Sequence, residues 1–467
     1  MKEFPIKIGL EIHGYLNTRE KLFCMCRTPE TKRDAEEEKP NSRVCPICTG
    51  QPGSKPMLPN AEAIKKLIQI ALVLGCKINY KELVWQRKHY DWPDLPKGYQ
   101  NTISGAHAIF PAHDGKFNNV RIRECHLEED PAQWNPETGK INYNRSGLPL
   151  IEIVTEPDFS DSKSVVEWLK NLILSLSYIK AIRKNAGIKV DVNVSTYGER
   201  VEIKNLNSLE KIKKAIDYEI SRQLENYEKG VVQKRETLSF DEELGRTVKM
   251  REKEEIADYR FIPDPDLPVI KLSEKYVKKI ERELPEMPDV KLEKLIKKFK
   301  IDKKNATILT KNLELVEFVE ELVKEGIDIK KNLSWITIEL LRILNYNKKT
   351  LEDEDIDIKP KHLAELIREV EKGNITPLKA KQIMNDFIPK SFSIAGGKDI
   401  TKISEDVVEN LCKQVIEKNQ HVVEEYKEGK EQAFNWLIGQ VMNLSERRAD
   451  YRVVRECLKK LIWGDSL

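Results

Sequence analysis

Apolar and polar side chains alternate in several short segments of the first 285 residues, and Gly and Pro residues separate these segments. Alternation predicts β-strands, because successive side chains of a strand point to opposite faces of the sheet. Longer segments repeat their apolar residues every three to four positions, which predicts amphipathic helices. The predicted strands span 6–13, 117–127, 148–155, 189–196 and 200–205. The predicted helices span 61–75, 162–180 and 207–228.

From residue 289 onward the pattern is helical, rich in Lys and Glu, and contains no segment that predicts a strand. The charged run LEDEDIDIKP and the turn-like SIAGGKDI divide this part again. A chain of 467 residues also exceeds what one hydrophobic core usually serves. The sequence therefore predicts an α+β fold with three domains: a mixed α/β domain over 1–288, an all-helical domain over 289–400 and a small helical tail over 401–467.

Charge and hydropathy narrow the classes of function. The chain has 80 Lys and Arg against 77 Asp and Glu, a net charge of +3, so no global field marks it as a nucleic-acid binder. No apolar run approaches the roughly 18 residues that a membrane span needs. The N-terminus lacks the charged-then-apolar layout of a secretory signal. We therefore expect a soluble cytoplasmic protein with no membrane partner.

Four of the eight cysteines form two close pairs, Cys24-x-Cys26 and Cys45-Pro-Ile-Cys48. Without a secretory signal, reduced thiols or metal ligands are expected rather than disulfides. Two close pairs joined by a loop are typical of a tetrahedral thiolate site. The polar loop between them has no apolar pattern that would bury two unrelated pairs. The sequence therefore predicts a structural Zn²⁺ knuckle at about 24–48, and predicts the remaining cysteines to be core residues: Cys76, Cys125, Cys412 and Cys457.

The stretch KIGLEIHGYL, residues 7–16, places Glu11 and His13 on one face of a predicted strand, opposite Ile8, Leu10 and Ile12. One interpretation is a solvated strand face, since an exposed Glu and an exposed His need no explanation. The other is half of a site. This stretch alone leaves both interpretations open.

Two further carboxylates bear on that choice. Glu128 lies in HLEED, and Glu152 lies inside the otherwise apolar LPLIEIV. A carboxylate in such a run is costly to bury unless a cation meets it, and a salt bridge to an arginine such as Arg145 is the structural alternative. Oxygen ligands with one imidazole suit Mg²⁺ or Mn²⁺. The cluster predicted to bind this metal and to act in catalysis is Glu11, His13, Glu128 and Glu152.

Other segments carry polar residues at strand spacing or in proline-held loops. VDVNVSTYGERVEIKNLNS is typical of a hairpin, and HYDWPDLPKGYQ and DYRFIPDPDLP mix aromatic rings, carboxylates and cations. No segment matches a phosphate-binding Gly-Lys-Ser/Thr loop, a dinucleotide fingerprint or a serine nucleophile elbow. Any nucleotide would therefore be held in a less usual way.

Together these segments resemble the motifs of a known family, GatB, the B-subunits of the aspartyl/glutamyl-tRNA amidotransferases. The resemblance rests on IGLEIHGYLNTREKLFC, VCPICTGQPG, YDWPDLPKGYQ, HLEED, YNRSGLPLIEIVTEPD, VDVNVS, VEIKNLNS and DYRFIPDPDLP, in that order. GKEQAFNWLIGQVMN at 429–443 is similar to the family's tail, so the resemblance spans nearly the whole chain. It implies a cradle domain, a helical domain and a tRNA-binding tail.

The resemblance also implies an activity. Members use ATP and Mg²⁺ to phosphorylate the side-chain carboxylate of misacylated Asp-tRNA(Asn) or Glu-tRNA(Gln), and ammonia from the partner glutaminase GatA then displaces the phosphate. A small third chain, GatC, completes the implied heterotrimer. The family's zinc cysteines and Mg²⁺ residues match the two clusters above, with Glu129 as a second choice. The substrate-binding candidates are Lys97, Lys204, Asn205, Arg447 and Arg448.

Two alternatives to this assignment are a non-catalytic tRNA-binding scaffold and the related archaeal GatE, whose inserted domain 467 residues would hardly accommodate. Converging carboxylates favour catalysis, since a scaffold for an anionic nucleic acid gains nothing from them. The chain departs from the family at Asp91, where an aromatic residue is usual, and in NLSERRADYRVV of the tail. Basic and acidic residues are nearly balanced in the tail, so a basic face is expected there rather than a basic domain.

Overall fold

The computed structural model describes residues 5–29, 38–105, 108–183, 187–250, 259–353, 355–395 and 400–464. Parts of the loop between the cysteine pairs and of SIAGGKDI lie outside these ranges. The chain divides into two compact units, Met1–Met287 and Pro288–Leu467. The further predicted division at residue 400 stays a prediction.

The first unit contains the strands and four helices of the described residues. Its strands are β1 (Lys7–Tyr15), β2 (Lys77–Ile78), β3 (Gln86–His89), β4 (Gln100–Thr102), β5 (Ala112–Phe117), β6 (Val120–Glu129), β7 (Gln133–Trp134), β8 (Ile141–Asn142), β9 (Pro149–Thr155), β10 (Ile188–Ser195), β11 (Val201–Leu206), β12 (Glu236–Asp241), β13 (Arg246–Lys249) and β14 (Arg260–Pro263). Its helices are α1 (Ala61–Val73), α2 (Ser162–Tyr178), α3 (Leu209–Glu228) and α4 (Glu274–Glu283).

The second unit is helical in the residues that the structure describes, as the sequence predicts. Its helices are α5 (Pro288–Lys297), α6 (Lys303–Leu309), α7 (Leu313–Lys324), α8 (Ile329–Ser334), a π-helical segment (Trp335–Leu340), α9 (Leu341–Tyr346), α10 (Pro360–Glu371), α11 (Pro377–Asn385), α12 (Glu405–Lys418), α13 (Gln420–Lys427), α14 (Glu431–Leu444) and α15 (Tyr451–Trp463). Together with the mixed sheet of the first unit, this confirms the predicted α+β class. Within the described ranges, no helix is both long enough and apolar enough to cross a membrane.

One large sheet organises the first unit, with strand order β13-β12-β11-β10-β1-β9-β6-β4-β3-β14 and with β5 and β2 branching from β6. The pairs are antiparallel except for the parallel pair of β11 and β12. β1 is therefore central, between β9 and β10. Each strand and helix predicted in this unit is present, with ends shifted by a few residues.

One face of this sheet is apolar and forms the core. Ile8, Leu10 and Ile12 are at most 1% exposed and belong to a single cluster with the valines of β10 and the apolar residues of α1, α2 and α3. Asn60 begins α1 by accepting hydrogen bonds from the amides of Glu62 and Ala63, as its position before the helix predicts. Because the helices cover this face, the alternate side chains of β1 point to the opposite, polar face.

The cysteines outside the two close pairs pack as predicted. Cys76 and Cys125 are buried in the core of the first unit. Cys412 is buried in a separate core between α12 and α15, and Cys457 packs against it half-buried.

Candidate active site

The polar face of the sheet carries a row of carboxylates and imidazoles on adjacent strands. Across β10, β1, β9 and β6, strand pairing places Lys189 opposite His13, His13 opposite Glu152, and Glu152 opposite His126. Glu11 lies opposite Asp191 in the neighbouring row. Directly opposed side chains of antiparallel strands lie close enough to interact. The sheet therefore brings together residues that are distant in the chain.

The first acidic group consists of His13, Glu128 and Glu152, which each offer a ligand atom within 4.8 Å of the other two. Nε2 of His13 lies 3.4 Å from Oε2 of Glu152. The side chain of His13 is 21% exposed, so solvent reaches the group from the polar face. Two carboxylates and one imidazole form a donor set that suits a hard divalent cation.

Burial and mutual charge perturb this first group. Although burial opposes the shift, the two neighbouring imidazoles hold the pKa of Glu152 well below its usual range. Burial favours the neutral form of His13 and so lowers its pKa, but the neighbouring Glu152 outweighs this effect and raises the pKa to about 9. Burial, with the charge of Glu152, raises the pKa of Glu128. Two neighbouring buried carboxylates are unfavourable unless positive charge meets them, so the chemistry of this group suits a cation.

The second acidic group consists of Glu11, Asp191 and Glu202. Burial and then the charge of Glu152 raise the pKa of Glu11, so the two groups interact electrostatically. The prediction that Glu11 binds the same cation as His13, Glu128 and Glu152 stays a prediction. Residues two apart on a strand lie on the same face, about 6.5 Å apart by strand geometry. Glu11 has a carboxylate partner, Asp191, on β10, whereas His13 has its carboxylate partner, Glu152, on β9. Asn193 donates a hydrogen bond to Oε1 of Glu11 over 3.2 Å. The polar face therefore holds two adjacent acidic groups.

Lys204 and Asn205, both predicted to bind substrate, lie at this second group. Nζ of Lys204 is 3.3 Å from Glu202 and 3.7 Å from Asp191. These two carboxylates raise the pKa of Lys204 in spite of burial. The backbone amide of Asn205, a residue with φ of 61° beside a β-bulge, donates to Asp191 over 2.8 Å. An ammonium thus forms ion pairs with two carboxylates of the second group.

The proposed structural alternative for Glu152, a salt bridge to Arg145, is wrong. Nε of Arg145 lies 2.7 Å from Oδ2 of Asp130, and the same oxygen accepts a hydrogen bond of 2.6 Å from the hydroxyl of Tyr15. Arg145 precedes β9, so it neutralises a carboxylate at the end of β6. Glu152 is left with the two imidazoles as its cationic neighbours in the described residues.

The two proline-held loops meet beside the sheet. Lys97 pairs with Glu129, and its ammonium donates to Oδ1 of Asn101 over 2.7 Å. Asn101 in turn donates to Asp264, and Arg87 joins Asp264 at 2.9 Å. Glu129, the second-choice metal residue, is thus engaged by Lys97 and does not belong to either acidic group. Lys97 has an internal partner as well as its predicted role toward substrate.

Replacing Lys97 with Met tests how much this pair stabilises the fold. The side chains of Lys97 and Glu129 are only 12% and 8% exposed, and removing one partner of a buried pair typically costs about 3–5 kcal/mol. We expect a loss of this size in the free energy of unfolding, measured from the urea midpoint. Lys55→Met is the control, because that ammonium pairs with Asp266 on a side chain 75% exposed and should cost under about 1 kcal/mol. Equal losses of unfolding free energy in Lys97→Met and Lys55→Met would contradict the inference that the buried pair of Lys97 and Glu129 stabilises the fold.

The four clustered cysteines come together as predicted. Their sulfur atoms lie within 4.8 Å of one another, with Cys48 Sγ 3.9 Å from Cys45 Sγ and 4.0 Å from Cys26 Sγ. The Cys24 thiol and the ammonium of Lys21, 3.4 Å away, lower the pKa of Cys48 to about 4. Four thiolate donors at this spacing fit a tetrahedral Zn²⁺.

Lys21 connects this cysteine cluster to the rest of the unit. It is 1% exposed, and its ammonium also donates to the carbonyl oxygens of Arg43 at 2.9 Å and Tyr143 at 3.2 Å. Ser146 donates to the carbonyl oxygen of Cys48 over 2.7 Å. The cluster thus holds the segment that leads through Arg145 into β9.

Arg447 and Arg448 lie in the second unit, in the turn between α14 and α15. Arg447 is exposed with φ of 64°, and its carbonyl oxygen accepts a hydrogen bond of 2.5 Å from Thr376. Arg448 is half-buried, and its Nε has no hydrogen-bond partner in the described part of the chain. The exposed guanidinium of Arg447 suits a phosphate.

Four residues of the polar face were not predicted as site residues: Asp191, Glu202, Glu124 and His126. The signal for Asp191 and Glu202 is the same alternation that singled out Glu11, since both lie on the polar side of the predicted hairpin. His126 adjoins the predicted Glu128 on the same face of β6. Their relation to β1 depends on strand order, which the pattern does not contain.

The sequence of this chain is similar to known proteins over nearly its whole length. A family profile described as the GatB/GatE catalytic domain matches residues 6–278, and one described as the GatB domain matches residues 317–462. The aspartyl/glutamyl-tRNA(Asn/Gln) amidotransferase B-subunit of Methanocaldococcus jannaschii is 41% identical over 98% of this chain and 98% of its own. The chain belongs to the GatB family.

Further relatives give the same result for this GatB-family chain. The corresponding B-subunits of Methanopyrus kandleri and Methanothermobacter thermautotrophicus are 40% and 41% identical, over 99% and 98% of this chain and 99% and 100% of their own. These findings confirm the resemblance inferred from the motifs. They also favour GatB over GatE, because the GatB domain is matched in the second unit.

Proposed function

We propose that this chain is the tRNA-binding and carboxylate-activating component of a glutamine-dependent amidotransferase that converts Asp-tRNA(Asn), Glu-tRNA(Gln) or both into the amides. The observation that carries the proposal is the convergence of His13, Glu128 and Glu152 on the polar sheet face of a GatB-family chain. A tRNA-binding scaffold has no use for buried carboxylates that repel its ligand, so these groups support catalysis.

The proposed reaction balances in two steps. An oxygen of the substrate carboxylate attacks the γ-phosphorus of ATP, the bond to the bridging oxygen breaks, and an acyl phosphate and ADP form. Ammonia then attacks the acyl carbon and loses a proton, and inorganic phosphate leaves. The first step is needed because a carboxylate oxygen is a poor leaving group until it is phosphorylated.

His13, Glu128 and Glu152 are the residues that would hold Mg²⁺. Bound Mg²⁺ supplies positive charge to phosphoryl oxygens, which is its usual contribution to phosphoryl transfer. Lys204 holds a permanent ammonium at the second group, where it can meet an anionic oxygen of a substrate. Glu11, Asp191 and Glu202 keep that ammonium in place.

The four cysteines would hold a structural Zn²⁺, which has no open position for chemistry when four thiolates bind it. We further propose that the tail over 401–467 binds tRNA, with Arg447 and Arg448 toward phosphates. The separate core between α12 and α15 supports a tail that packs by itself. The glutaminase GatA and the small GatC complete the proposed heterotrimer, which we expect in the cytoplasm.

The source of nitrogen gives the test of this function. The members of the two acidic groups are carboxylates and one imidazole, and no segment of the sequence matches a serine nucleophile elbow. We therefore expect the isolated chain to leave glutamine intact but to form Asn-tRNA or Gln-tRNA from free ammonium, ATP and misacylated tRNA. Thin-layer chromatography of the released amino acids measures the product. Glutaminase activity, or no amide with ammonium although the tRNA binds, would count against the proposal, the latter in favour of the scaffold.

A further inference from the structure

His126 lies beside Glu152 but outside both acidic groups. Its Nε2 is 3.4 Å from Oε2 of Glu152, and the same oxygen is 3.4 Å from Nε2 of His13. One carboxylate oxygen therefore lies between two imidazoles. They differ in access, because the side chain of His13 is 21% exposed and that of His126 is 3% exposed.

This difference in solvent access separates the roles of His13 and His126. A cation that enters the first acidic group from the polar face can reach His13, which shares that group with Glu128 and Glu152. His126 flanks the Glu152 carboxylate on the side away from β1, is nearly inaccessible to solvent, and does not join the group. The contact with Glu152 is fixed by the sheet, because the two residues are direct partners in the pairing of β6 and β9.

A further carboxylate lies on the far side of the His126 ring. Oε1 of Glu124 is 3.8 Å from Nδ1, and Glu124 is itself buried. Within the described residues, neither Nδ1 of His126 nor Oε2 of Glu124 has a hydrogen-bond partner. The ring is thus held between two carboxylates in a place where a core histidine would ordinarily have both nitrogens satisfied.

We propose that His126 is a positioning residue whose Nε2–H orients the Glu152 carboxylate toward the cation. Carboxylates that bind metals are usually hydrogen-bonded by such outer residues, and changing these residues typically weakens metal binding about 10- to 100-fold. The inference rests on the proposed function, which assigns the cation to the first acidic group.

Two amide variants separate this role from simple filling of space. His126→Gln keeps an N–H near the position of Nε2, whereas His126→Asn carries its amide only as far as the position of Nδ1. Mn²⁺ is the probe, and the signal of free Mn²⁺ in electron paramagnetic resonance gives its affinity for the full-length chain. We expect about a 10- to 100-fold weaker affinity for His126→Asn and most of the wild-type affinity for His126→Gln.

The control variant is Cys125→Ala on the same strand. Cys125 faces the apolar core, so this change should lower the melting temperature and leave Mn²⁺ affinity unchanged. If neither amide variant folds, Glu124→Gln supplies the test, because the ring then loses the charge on its far side and Mn²⁺ should bind more weakly.

The outcomes distinguish this inference from the proposed function. Equal Mn²⁺ affinity in the Gln and Asn variants, or an unchanged affinity in Glu124→Gln where that test is used, overturns the role of His126 and leaves the proposed function standing. A wild-type chain that binds no Mn²⁺, or binds it equally well as Glu152→Gln, overturns the cation site and the inference with it.

Discussion

His13→Ala is expected to reduce amide formation by at least about 100-fold, the scale on which a lost charge-stabilising group affects a reaction. The imidazole is the only member of the first acidic group in the described residues that is not a carboxylate. Its loss leaves Glu128 and Glu152 without a ligand that completes the set. Binding of tRNA should persist, because phosphate contacts elsewhere carry that affinity. The measurements are single-turnover amide formation with ammonium and filter binding of tRNA.

The control for this experiment is His113→Ala. His113 is half-buried on β5, outside both acidic groups, and contacts Asp114 at 3.1 Å. Its loss should leave the rate unchanged. Glu152→Gln tests the same group from another strand, since it keeps the shape of the side chain and removes its charge. Full activity in either His13→Ala or Glu152→Gln would remove that residue from the site and return β1 to the interpretation of a solvated strand face.

Cys45→Ser is expected to lower the zinc content from about one ion per chain to nearly none. A hydroxyl is a much poorer ligand than a thiolate, and binding of a structural Zn²⁺ contributes directly to folding. Lys21 should then lose its ordered surroundings, since its ammonium contacts Cys48 and the carbonyl oxygen of Tyr143. Elemental analysis gives the zinc content, and hydrogen exchange reports opening of residues 39–50 and 141–147.

The matched control is Cys457→Ser, which changes a half-buried thiol in the core of the tail, away from the four clustered sulfurs. It should retain the zinc. Zinc retained in Cys45→Ser, or absent from freshly purified reduced wild-type protein, would show that the four thiols serve another purpose.

Local patterns sufficed for the long elements of the fold. β1, β9 and β10 alternate or are apolar over seven to nine residues, and Asn60 marks the start of α1. The short strands QRKH of β3 and QNT of β4 escaped prediction. These segments are polar, and they are strands because they pair with neighbouring strands of the sheet. No local pattern in the sequence therefore predicts them.

Some features of the candidate site could likewise be predicted from local patterns in the sequence, and others could not. Residue type and spacing were enough to single out the four cysteines, because all four lie within one stretch of chain. They were not enough to show that Asp191 and Glu202 lie beside Glu11, since this depends on which strands flank β1. Arg145 illustrates the same difficulty, because the nearest carboxylate in the fold is Asp130 and not Glu152. Partner choice across strands depends on register, which arises only when the sheet assembles.

Because β1 is central in the sheet, its correct pairing is needed both for the hydrophobic core and for the candidate active site. β1 pairs with β10 and β9 at once, and its two faces have opposite character. A slip of one residue against either neighbour would turn Glu11 and His13 into the core and expose Ile8, Leu10 and Ile12. Burying that carboxylate without a partner would cost far more than the slipped sheet could recover. Closing the core therefore excludes this slip, and molecules misaligned by one residue should appear as aggregation-prone material rather than as folded but inactive enzyme.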